Sequence, residues 1–447
     1  MAPNNPKFAI SSLSLGSCAH HRLPTKIRAA AALGYDGIEI FVPDFEAFVD
    51  EVCDRGLHHE LFPRPPTPTD DPLALEVVCA KAIANLCASL HLAIPVLQPL
   101  RGFENFASPD CLGGGGLPAA LKAAERWIRL MPHFETSLLL VCSNYIEPED
   151  HPFAPFDPTA ARLSLSCPRS GDTNAHDAPG ARALGKVAAR YGVRVGYEPL
   201  AWGMVVDNWE QVWDVVRRVG RENVGVILDS FNSLGNQYAD PTPRNATHGA
   251  LLQNLALLAR TIPAHKIFLY QLADAASPAP ITPAPRVPAR MTWSRAARLF
   301  PCEDARGAWL PVTDMSLAVV EAGYPATEHH TCGDAEDAWW SVEVFNTSLE
   351  DPRRECVEEH GARGLAGLRT LWGHVCGGIA EAREYKQAVG SPTPTPSQDS
   401  RSSDESTSGA PVLSNSETPE EISSPISRVV SNEWSLGRVD VDGCVVG

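Results

Sequence analysis

The sequence has no long uninterrupted hydrophobic segment and is poor in basic residues. No stretch approaches the roughly eighteen consecutive apolar residues that a membrane-spanning helix needs. The 37 Lys and Arg residues are outnumbered by 54 Asp and Glu residues, which gives a formal net charge of -17. Nucleic acids and anionic membrane surfaces bind clustered basic residues, so we expect neither to be the main partner.

The cysteines form no recognisable metal or redox motif. The chain has twelve of them, with no CxxC pair and no zinc-ligand spacing. Cys79, Cys87 and Cys142 lie inside apolar segments, which is typical of small buried side chains in a reducing compartment. The opening MAPNNPKFAI also lacks the basic region and apolar run of a signal peptide. We therefore expect a cytoplasmic protein.

Nucleotide-binding motifs are absent as well. No GxGxxG follows the first strand-like run, which argues against an open dinucleotide-binding sheet. Four glycines at Gly113 to Gly116 precede a helix-like segment. They lack the Lys and the Ser or Thr of a phosphate-binding P-loop, so we interpret them as a flexible loop.

What the chain does contain is an eightfold alternation of strand-like and helix-like segments. Each strand-like run is almost continuously apolar, as expected of a parallel strand buried on both faces. Eight such units of this length predict an α/β protein with a closed (β/α)8 TIM barrel. The eight runs are KFAISSLSLG, DGIEIFVPD, IPVLQPLRG, SLLLVCSN, VRVGYEP, VGVILDSFN, KIFLYQLADA and WWSVEVFN.

Three segments depart from this alternation. Proline-rich stretches near 148–180 and 275–290 have no clear periodicity and predict inserted surface loops. From residue 387 the composition changes to Ser, Thr, Pro and acidic residues, which cannot bury enough apolar area to fold. We therefore expect a barrel domain at 1–386 and a largely disordered tail at 387–447.

Four oxygen-bearing side chains end four of the strand-like runs: Glu198, Asp229, Gln271 and Glu343. In a TIM barrel these ends meet at one mouth, where the active sites of the fold lie. Three carboxylates and an amide at one place would repel each other unless a hard divalent cation held them. An all-oxygen set favours Mg²⁺ or Mn²⁺, with Co²⁺ as a further candidate, over Zn²⁺.

A family resemblance rests on seven motifs that occur in order: SLSLG, GYDGIEIF, YEPLAWG, VILDSFN, YQLADA, WSRAARLFP and SVEVFN. Together they resemble the sugar-phosphate-isomerase-like barrels and, within them, the 3-dehydroshikimate dehydratases of quinate catabolism. The resemblance covers roughly residues 8 to 375. It implies the same four metal ligands that the strand ends indicate.

The resemblance also implies a small-molecule carboxylate substrate. Arg101, after the third strand, matches the family's substrate-binding arginine, and an arginine suits a bidentate grip on a carboxylate. Ser294, Arg295 and Arg298 match residues that reach the substrate from the loop after strand seven. Arg295 and Arg298 are three residues apart, so on a helical turn they would share a face, one binding substrate and the other pairing with an acid.

The implied reaction is the dehydration of 3-dehydroshikimate to protocatechuate. A divalent ion bound to the ketone makes the neighbouring C–H acidic, and the β-hydroxyl then leaves as water. The base is left open, because bacterial relatives carry a His where this chain has Asn232, and Asn cannot abstract a proton. The candidates are Glu198, Glu39, which closes strand two, and His20, which follows strand one. Glu39 and His20 are also predicted to contact the substrate. Val205 also replaces a His that is common in the family.

Two other functions use the same features. A keto-sugar isomerase or epimerase would need the same barrel and metal. A metal-binding pseudoenzyme that regulates quinate use would also fit, given Val205, the inserts and the tail. The charge and the lack of a His-rich zinc set argue against an endonuclease. Whether the chain forms a homo-oligomer is left open.

Overall fold

The computed structural model describes residues 5–54, 61–62, 73–103, 116–145, 180–238, 247–277, 287–325 and 338–389. The chain divides into two units, Met1–Ala382 and Arg383–Gly447. Most of the loops predicted near 148–180 and 275–290, nearly all of the tail predicted at 387–447, and the first three residues of the glycine run lie outside the described residues.

Eight parallel strands close into a barrel, so the predicted (β/α)8 architecture is confirmed. Around the barrel the strands follow the order β1-β10-β7-β6-β5-β4-β3-β2. They are β1 Lys7–Ser11, β2 Gly37–Phe41, β3 Leu97–Leu100, β4 Leu138–Cys142, β5 Arg194–Glu198, β6 Val224–Asp229, β7 Ile267–Leu272 and β10 Trp339–Val342. The strands are shorter than the apolar runs: the first run leaves β1 at Ser11 and continues as a short 3-10 helix, Ser12–Leu15.

Two further strands, β8 Asp274–Ala275 and β9 Arg298–Leu299, form a small antiparallel pair beyond the C-terminal end of β7. In this pair Ala275 lies opposite Arg298. The pairing therefore fixes the backbone of Arg298 relative to the end of β7, which carries Gln271.

Helices connect the strands and pack around the barrel. The described residues contain α1 Leu23–Leu33, α2 Val42–Cys53, α3 Ala74–Ser89, α4 Gly116–Phe134, α5 Ala181–Ala189, α6 Trp209–Val219, α7 Ser230–Gln237, α8 His248–Thr261, α9 Ala289–Ala297, α10 Val312–Glu321 and α11 Glu355–Val389. Short 3-10 helices occupy Ala264–Lys266, Asp304–Arg306 and Thr347–Glu350. None of the described helices is both long enough and apolar enough to cross a bilayer.

Helix ends follow local sequence signals. The α1 helix stops at Gly34, whose φ of 90° is accessible to glycine at little cost. The α6 helix begins at Asn208, whose side chain accepts a hydrogen bond from the Gln211 backbone N–H. It ends at Gly220 with a φ of 60°. These caps set where the chain enters and leaves neighbouring strands.

The barrel interior has an apolar layer with a polar layer above it. The apolar layer includes Ala9, Val96, Leu138, Leu140, Ile227, Leu269 and Trp339. Side chains two positions apart on a strand point to the same face, so the next inward positions lie nearer the C-terminal mouth. These positions carry Ser11, Glu39, Gln98, Cys142, Glu198, Asp229, Gln271 and Ser341. The mouth is therefore polar on every barrel strand except β4, whose Cys142 belongs to the apolar cluster, and it lies over a closed apolar floor.

Glycines in the floor make room for its largest side chains. A Cβ added at Gly37 would lie 2.7 Å from the Trp339 ring, and one added at Gly196 would lie 2.4 Å from Ile227 Cδ1. Both glycines stand two residues before a mouth carboxylate, Glu39 and Glu198 respectively. Close packing below the site thus sets the depth at which these carboxylates lie.

Replacing Gly196 with alanine should destabilise the protein by about 1–3 kcal/mol, because the new methyl group overpacks the floor against Ile227. Urea unfolding monitored by circular dichroism measures this cost. The same substitution in an Ile227→Ala background should cost less, since the obstructing atoms are gone. Equal costs in both backgrounds would contradict the packing argument.

Gly373→Ala provides the control. Gly373 lies in α11 with no atom within 4 Å of an added Cβ. Without overpacking, the substitution should raise stability by about 0.5–1 kcal/mol through the higher helix propensity of alanine.

Candidate active site and metal centre

Three carboxylates converge at the barrel mouth. Glu198 ends β5, Asp229 ends β6, and Glu343 directly follows β10. Each offers an oxygen, and the three oxygens lie within 4.8 Å of one another. All three residues are buried. The structure thus assembles from distant parts of the chain three of the four side chains predicted as ligands.

Gln271, the fourth predicted ligand, lies on β7, between the strands that lead to Asp229 and Glu343. Its backbone is in register with Asp229. Its Nε2 donates to Glu39 Oε2 at 2.9 Å, whereas its Oε1 is buried without a hydrogen-bond partner. A buried amide oxygen with no partner is costly unless something else binds it, and a cation would do so.

Gln98 on β3 joins the acidic residues to each other. Its Nε2 lies 2.9 Å from Ser11 Oγ, Glu39 Oε2 and Glu343 Oε1, so its two N–H groups are shared among three acceptors. The sequence reasoning missed this residue. The available signal was its place in LQPL, where a polar residue interrupts an apolar strand at the level of the other mouth residues.

Arg298 supplies a buried positive charge to the cluster. Its Nη1 donates to Asp229 Oδ2 at 2.8 Å, to the Glu343 backbone carbonyl at 3.2 Å and to Glu343 Oε2 at 3.4 Å. Its Nε donates to Ser294 Oγ at 3.0 Å. Of the two arginines, Arg298 is therefore the one that forms ion pairs with acidic side chains. Ser294, which was predicted to contact the substrate, instead accepts a hydrogen bond from Arg298.

The prediction that Arg295 and Arg298 share a helical face is wrong. Helix α9 ends at Ala297, and Arg298 is extended with φ and ψ of -62° and 146°. The antiparallel pairing of β9 with β8 replaces the helical continuation, and this turns Arg298 toward the carboxylates.

Arg295 and Arg101 form a cationic pair beside aromatic rings. The Arg295 guanidinium lies 4.2 Å from the Phe345 ring centroid and 5.8 Å from that of Trp202. Arg101 lies 5.7 Å from the Phe41 ring. Burial and the charges of Arg101 and Arg298 lower the pKa of Arg295. Such mutual repulsion favours an anion between the guanidinium groups.

Asn232 has a positioning contact with Glu198. Its Nδ2 donates to Glu198 Oε1 at 2.8 Å, and its Oδ1 accepts from the Ala201 backbone N–H at 3.1 Å. Its own backbone N–H donates to Asp229 Oδ1, which caps α7. Both ends of the amide are therefore occupied, and Asn232 orients two predicted ligands. Val205 is buried in the hydrophobic core.

His20 is not brought to the carboxylates. Its side chain is 37% exposed, and its Nε2 lies 3.7 Å from Glu350 Oε2. The neighbouring His21 is buried, with Nε2 2.8 Å from the Asp351 carbonyl. This placement gives no support to His20 as base or substrate contact. By contrast, Glu39 is buried in the polar layer and contacts Gln98 and Gln271.

The electrostatics of the site favour a bound cation. Burial, then the charge of Glu343, raises the pKa of Glu39 to about 8. Burial, Glu343 and Asp229 raise the pKa of Glu198 well above its usual range, and burial raises that of Glu343 despite Arg298. Four buried carboxylates thus face two guanidinium groups: that of Arg298, which contacts Asp229 and Glu343, and that of Arg295, whose charge also lowers the pKa of Glu343. With the unpartnered Gln271 oxygen, this excess of buried negative charge fits a divalent metal ion.

The chain belongs to the xylose isomerase-like TIM barrel family. Residues 27–298 match the model of this family. Two solved structures share the fold. A xylose isomerase-like TIM barrel/4-hydroxyphenylpyruvate dioxygenase fusion protein is 25% identical, with a TM-score of 0.58 over 85% of this chain and 45% of its own. The IOLI protein with a bound zinc atom is 16% identical, with a TM-score of 0.55 over 82% and 97%.

Within that family the relatives are 3-dehydroshikimate dehydratases, which confirms the resemblance seen in the motifs. The Neurospora crassa enzyme is 32% identical over 376 residues, covering 82% of this chain and 93% of the relative. The Pseudomonas aeruginosa enzyme is 34% identical over 78% of this chain, which spans only 39% of that longer protein. The chain is therefore a hydro-lyase of the 3-dehydroshikimate dehydratase group.

The metal-free protein should lose stability as the pH rises from about 4.5 to about 8. Across this range folded Glu39 keeps a proton that the unfolded chain releases, so ionisation favours unfolding. Glu39→Gln should weaken this dependence. Urea unfolding midpoints in EDTA across the range measure it. Glu222→Gln, at a side chain that is 83% exposed, is the control and should leave it intact. An unchanged slope in Glu39→Gln would contradict the assignment.

Proposed function

We propose that this chain catalyses the metal-dependent dehydration of 3-dehydroshikimate to protocatechuate. The observation that carries the proposal is the convergence of Glu198, Asp229 and Glu343 at the mouth of a barrel. The relative from Neurospora crassa, matched over 93% of its length, supports the choice of substrate. The family resemblance further supports a role in quinate and shikimate catabolism. The free, buried Cys79, Cys87 and Cys142 favour a reducing compartment such as the cytoplasm.

Glu198, Asp229, Gln271 and Glu343 would hold the cation, each through an oxygen. Oxygen-only ligands favour Mg²⁺ or Mn²⁺, with Co²⁺ as a further candidate. When bound, the ion supplies Lewis acidity that favours enolisation of a ketone. Arg298 offsets part of the negative charge of Asp229 and Glu343, and Gln98 and Asn232 hold Glu343 and Glu198 in place.

Arg101 and Arg295 would bind the substrate carboxylate. Their guanidinium groups are close enough to repel each other, and a carboxylate relieves that repulsion while accepting hydrogen bonds from both. The rings of Phe41, Phe345 and Trp202 pack against these arginines and limit their motion.

The reaction requires removal of one carbon-bound proton and loss of one hydroxyl group with a proton as water. The remaining ring tautomerises to the aromatic product, so the net change is the loss of one water molecule. We assign proton removal to Glu198, because His20 is exposed beside Glu350 and Glu39 Oε2 already accepts hydrogen bonds from two amides. Asn232 has no basic atom. Glu198 is held for this role by the hydrogen bond that its Oε1 accepts from Asn232 Nδ2 at 2.8 Å.

Removal of metal should abolish the formation of protocatechuate from 3-dehydroshikimate, and added Mn²⁺ should restore it. The reason is that the cation held by the buried carboxylates would supply the Lewis acid that polarises the ketone. The ultraviolet absorbance of the aromatic product follows the reaction in EDTA and then in excess Mn²⁺. No product with any divalent metal, or turnover of a keto-sugar instead, would contradict the proposal.

Two variants of the acidic residues control this experiment. Glu343→Gln should abolish the metal-restored activity while the barrel stays folded by circular dichroism, because it weakens one of the proposed ligands. Glu358→Gln removes an exposed carboxylate on α11 and should leave activity unchanged.

Arg101→Lys should raise KM for 3-dehydroshikimate by about tenfold to a hundredfold, with a smaller effect on kcat. Lysine retains the charge but cannot make the paired hydrogen bonds of a guanidinium to a carboxylate. Steady-state kinetics at saturating Mn²⁺ measure both constants. Arg129→Lys, at an exposed position on α4, is the matched control. An unchanged KM in Arg101→Lys would remove this residue from the substrate site.

A further inference from the structure

Two amides in the polar layer donate to the same carboxylate oxygen. Glu39 Oε2 accepts from Gln98 Nε2 and from Gln271 Nε2, each at 2.9 Å. Glu39, Gln98 and Gln271 are at most 1% exposed, so water cannot substitute for these contacts. Since Oε2 acts as the acceptor, each amide must turn its NH₂ group toward Glu39.

This contact determines which end of Gln271 is free. With Nε2 bound to Glu39, its Oε1 is left without a hydrogen-bond partner. Strand β7, which carries Gln271, lies between the strands leading to Asp229 and Glu343. A reversed amide would present two N–H donors instead, which cannot bind a cation. The orientation of one side chain therefore separates a ligand from a non-ligand.

Gln98 holds Glu39 in its place. It donates from β3 to Glu39 and also to Ser11 Oγ and Glu343 Oε1. Glu39 stands on β2, which is separated from β7 by β1 and β10 in the barrel order. Its carboxylate thus reaches across the interior to Gln271, and the donor from the neighbouring strand β3 restrains it there.

We propose that Glu39 is a positioning residue that orients the Gln271 amide so that its oxygen becomes a metal ligand, with Gln98 holding Glu39 in place. This inference rests on the divalent cation of the proposed function. It adds that Glu39, which is not itself a proposed ligand, determines whether Gln271 can bind the cation through its Oε1. Outer-shell partners of this kind typically affect metal affinity by about tenfold to a hundredfold.

The test is isothermal titration of the metal-stripped full chain with Mn²⁺. Glu39→Gln and Glu39→Asp should each weaken Mn²⁺ binding by about tenfold to a hundredfold. The first replaces the acceptor with an amide that can donate to Gln271, and the second retains the charge but shortens the reach. Glu39→Gln combined with Gln271→Glu exchanges the carboxylate and the amide between the two positions. That pair should recover affinity near the wild-type value.

The outcomes separate orientation from charge. Wild-type affinity in Glu39→Asp with loss in Glu39→Gln would mean that Glu39 acts through its charge alone, which would overturn the inference. Wild-type affinity in both, or no recovery in the double variant, would also overturn it. Glu222→Gln, exposed and distant in sequence, should bind Mn²⁺ normally.

Two further measurements keep the test decisive. Gln98→Met leaves Glu39 and Gln271 intact and should still weaken binding, so it serves if a Glu39 variant fails to fold. Because it also removes the contact of Gln98 with Glu343, the informative result from this variant is whether affinity stays normal. Normal affinity in Gln98→Met would overturn the role given to Gln98. A wild-type chain that binds no Mn²⁺ would sink the proposed metal-dependent function itself, an outcome distinct from wild-type binding that Glu39 does not influence.

Discussion

The burial of several carboxylates at one end of a closed barrel is the constraint on which the rest of this structure depends. Glu39, Glu198, Asp229 and Glu343 are all buried, and burial raises the pKa of three of them. Isolated buried charges are expensive, so each must be compensated by partners nearby. Arg298, Gln98 and Asn232 provide protein partners, and a divalent cation would complete the compensation.

This constraint explains the extension of the fold beyond eight strands. The β8–β9 pair turns Arg298 away from the end of α9 and toward Asp229 and Glu343. Asn346 strengthens this arrangement by donating to the Arg298 carbonyl. Below the mouth, Gly37 and Gly196 admit Trp339 and Ile227 into the floor. The packed floor thus lies directly below the acidic residues, and Arg298 offsets part of their negative charge.

The division of labour at the mouth follows from the same arrangement. One half of the ring, on β5, β6, β7 and β10, carries the proposed ligands. Arg101 follows β3 and lies near Arg295, where an anionic substrate group would be bound. Glu39 and Gln98 connect the two halves through hydrogen bonds. Strands β2 and β3 are thereby joined to two of the proposed ligands, Gln271 and Glu343.

The sequence by itself determined the number of barrel strands, their alternation with helices, and the identity of the polar residues at the strand ends, but not the additional β8–β9 pair. It did so because burial on both faces produces apolar runs, and a polar residue that ends such a run is conspicuous. Glu198, Asp229, Gln271 and Glu343 could be selected on that ground. Only the tertiary structure decided which atoms meet. Gln98 contacts Glu343 across 245 residues, and Glu39 contacts Gln271 across 232.

The same physical reason explains the predictions that failed. Arg298 was expected on a helical turn because local spacing is all that a sequence displays, whereas strand pairing with a distant segment determines its conformation. His20 follows a strand, as a mouth residue should, yet the turn after β1 carries it to the exposed side beside Glu350. The orientation of the Gln271 amide and the placement of His20 both depend on side chains from distant parts of the chain. Closure of the barrel brings these side chains together.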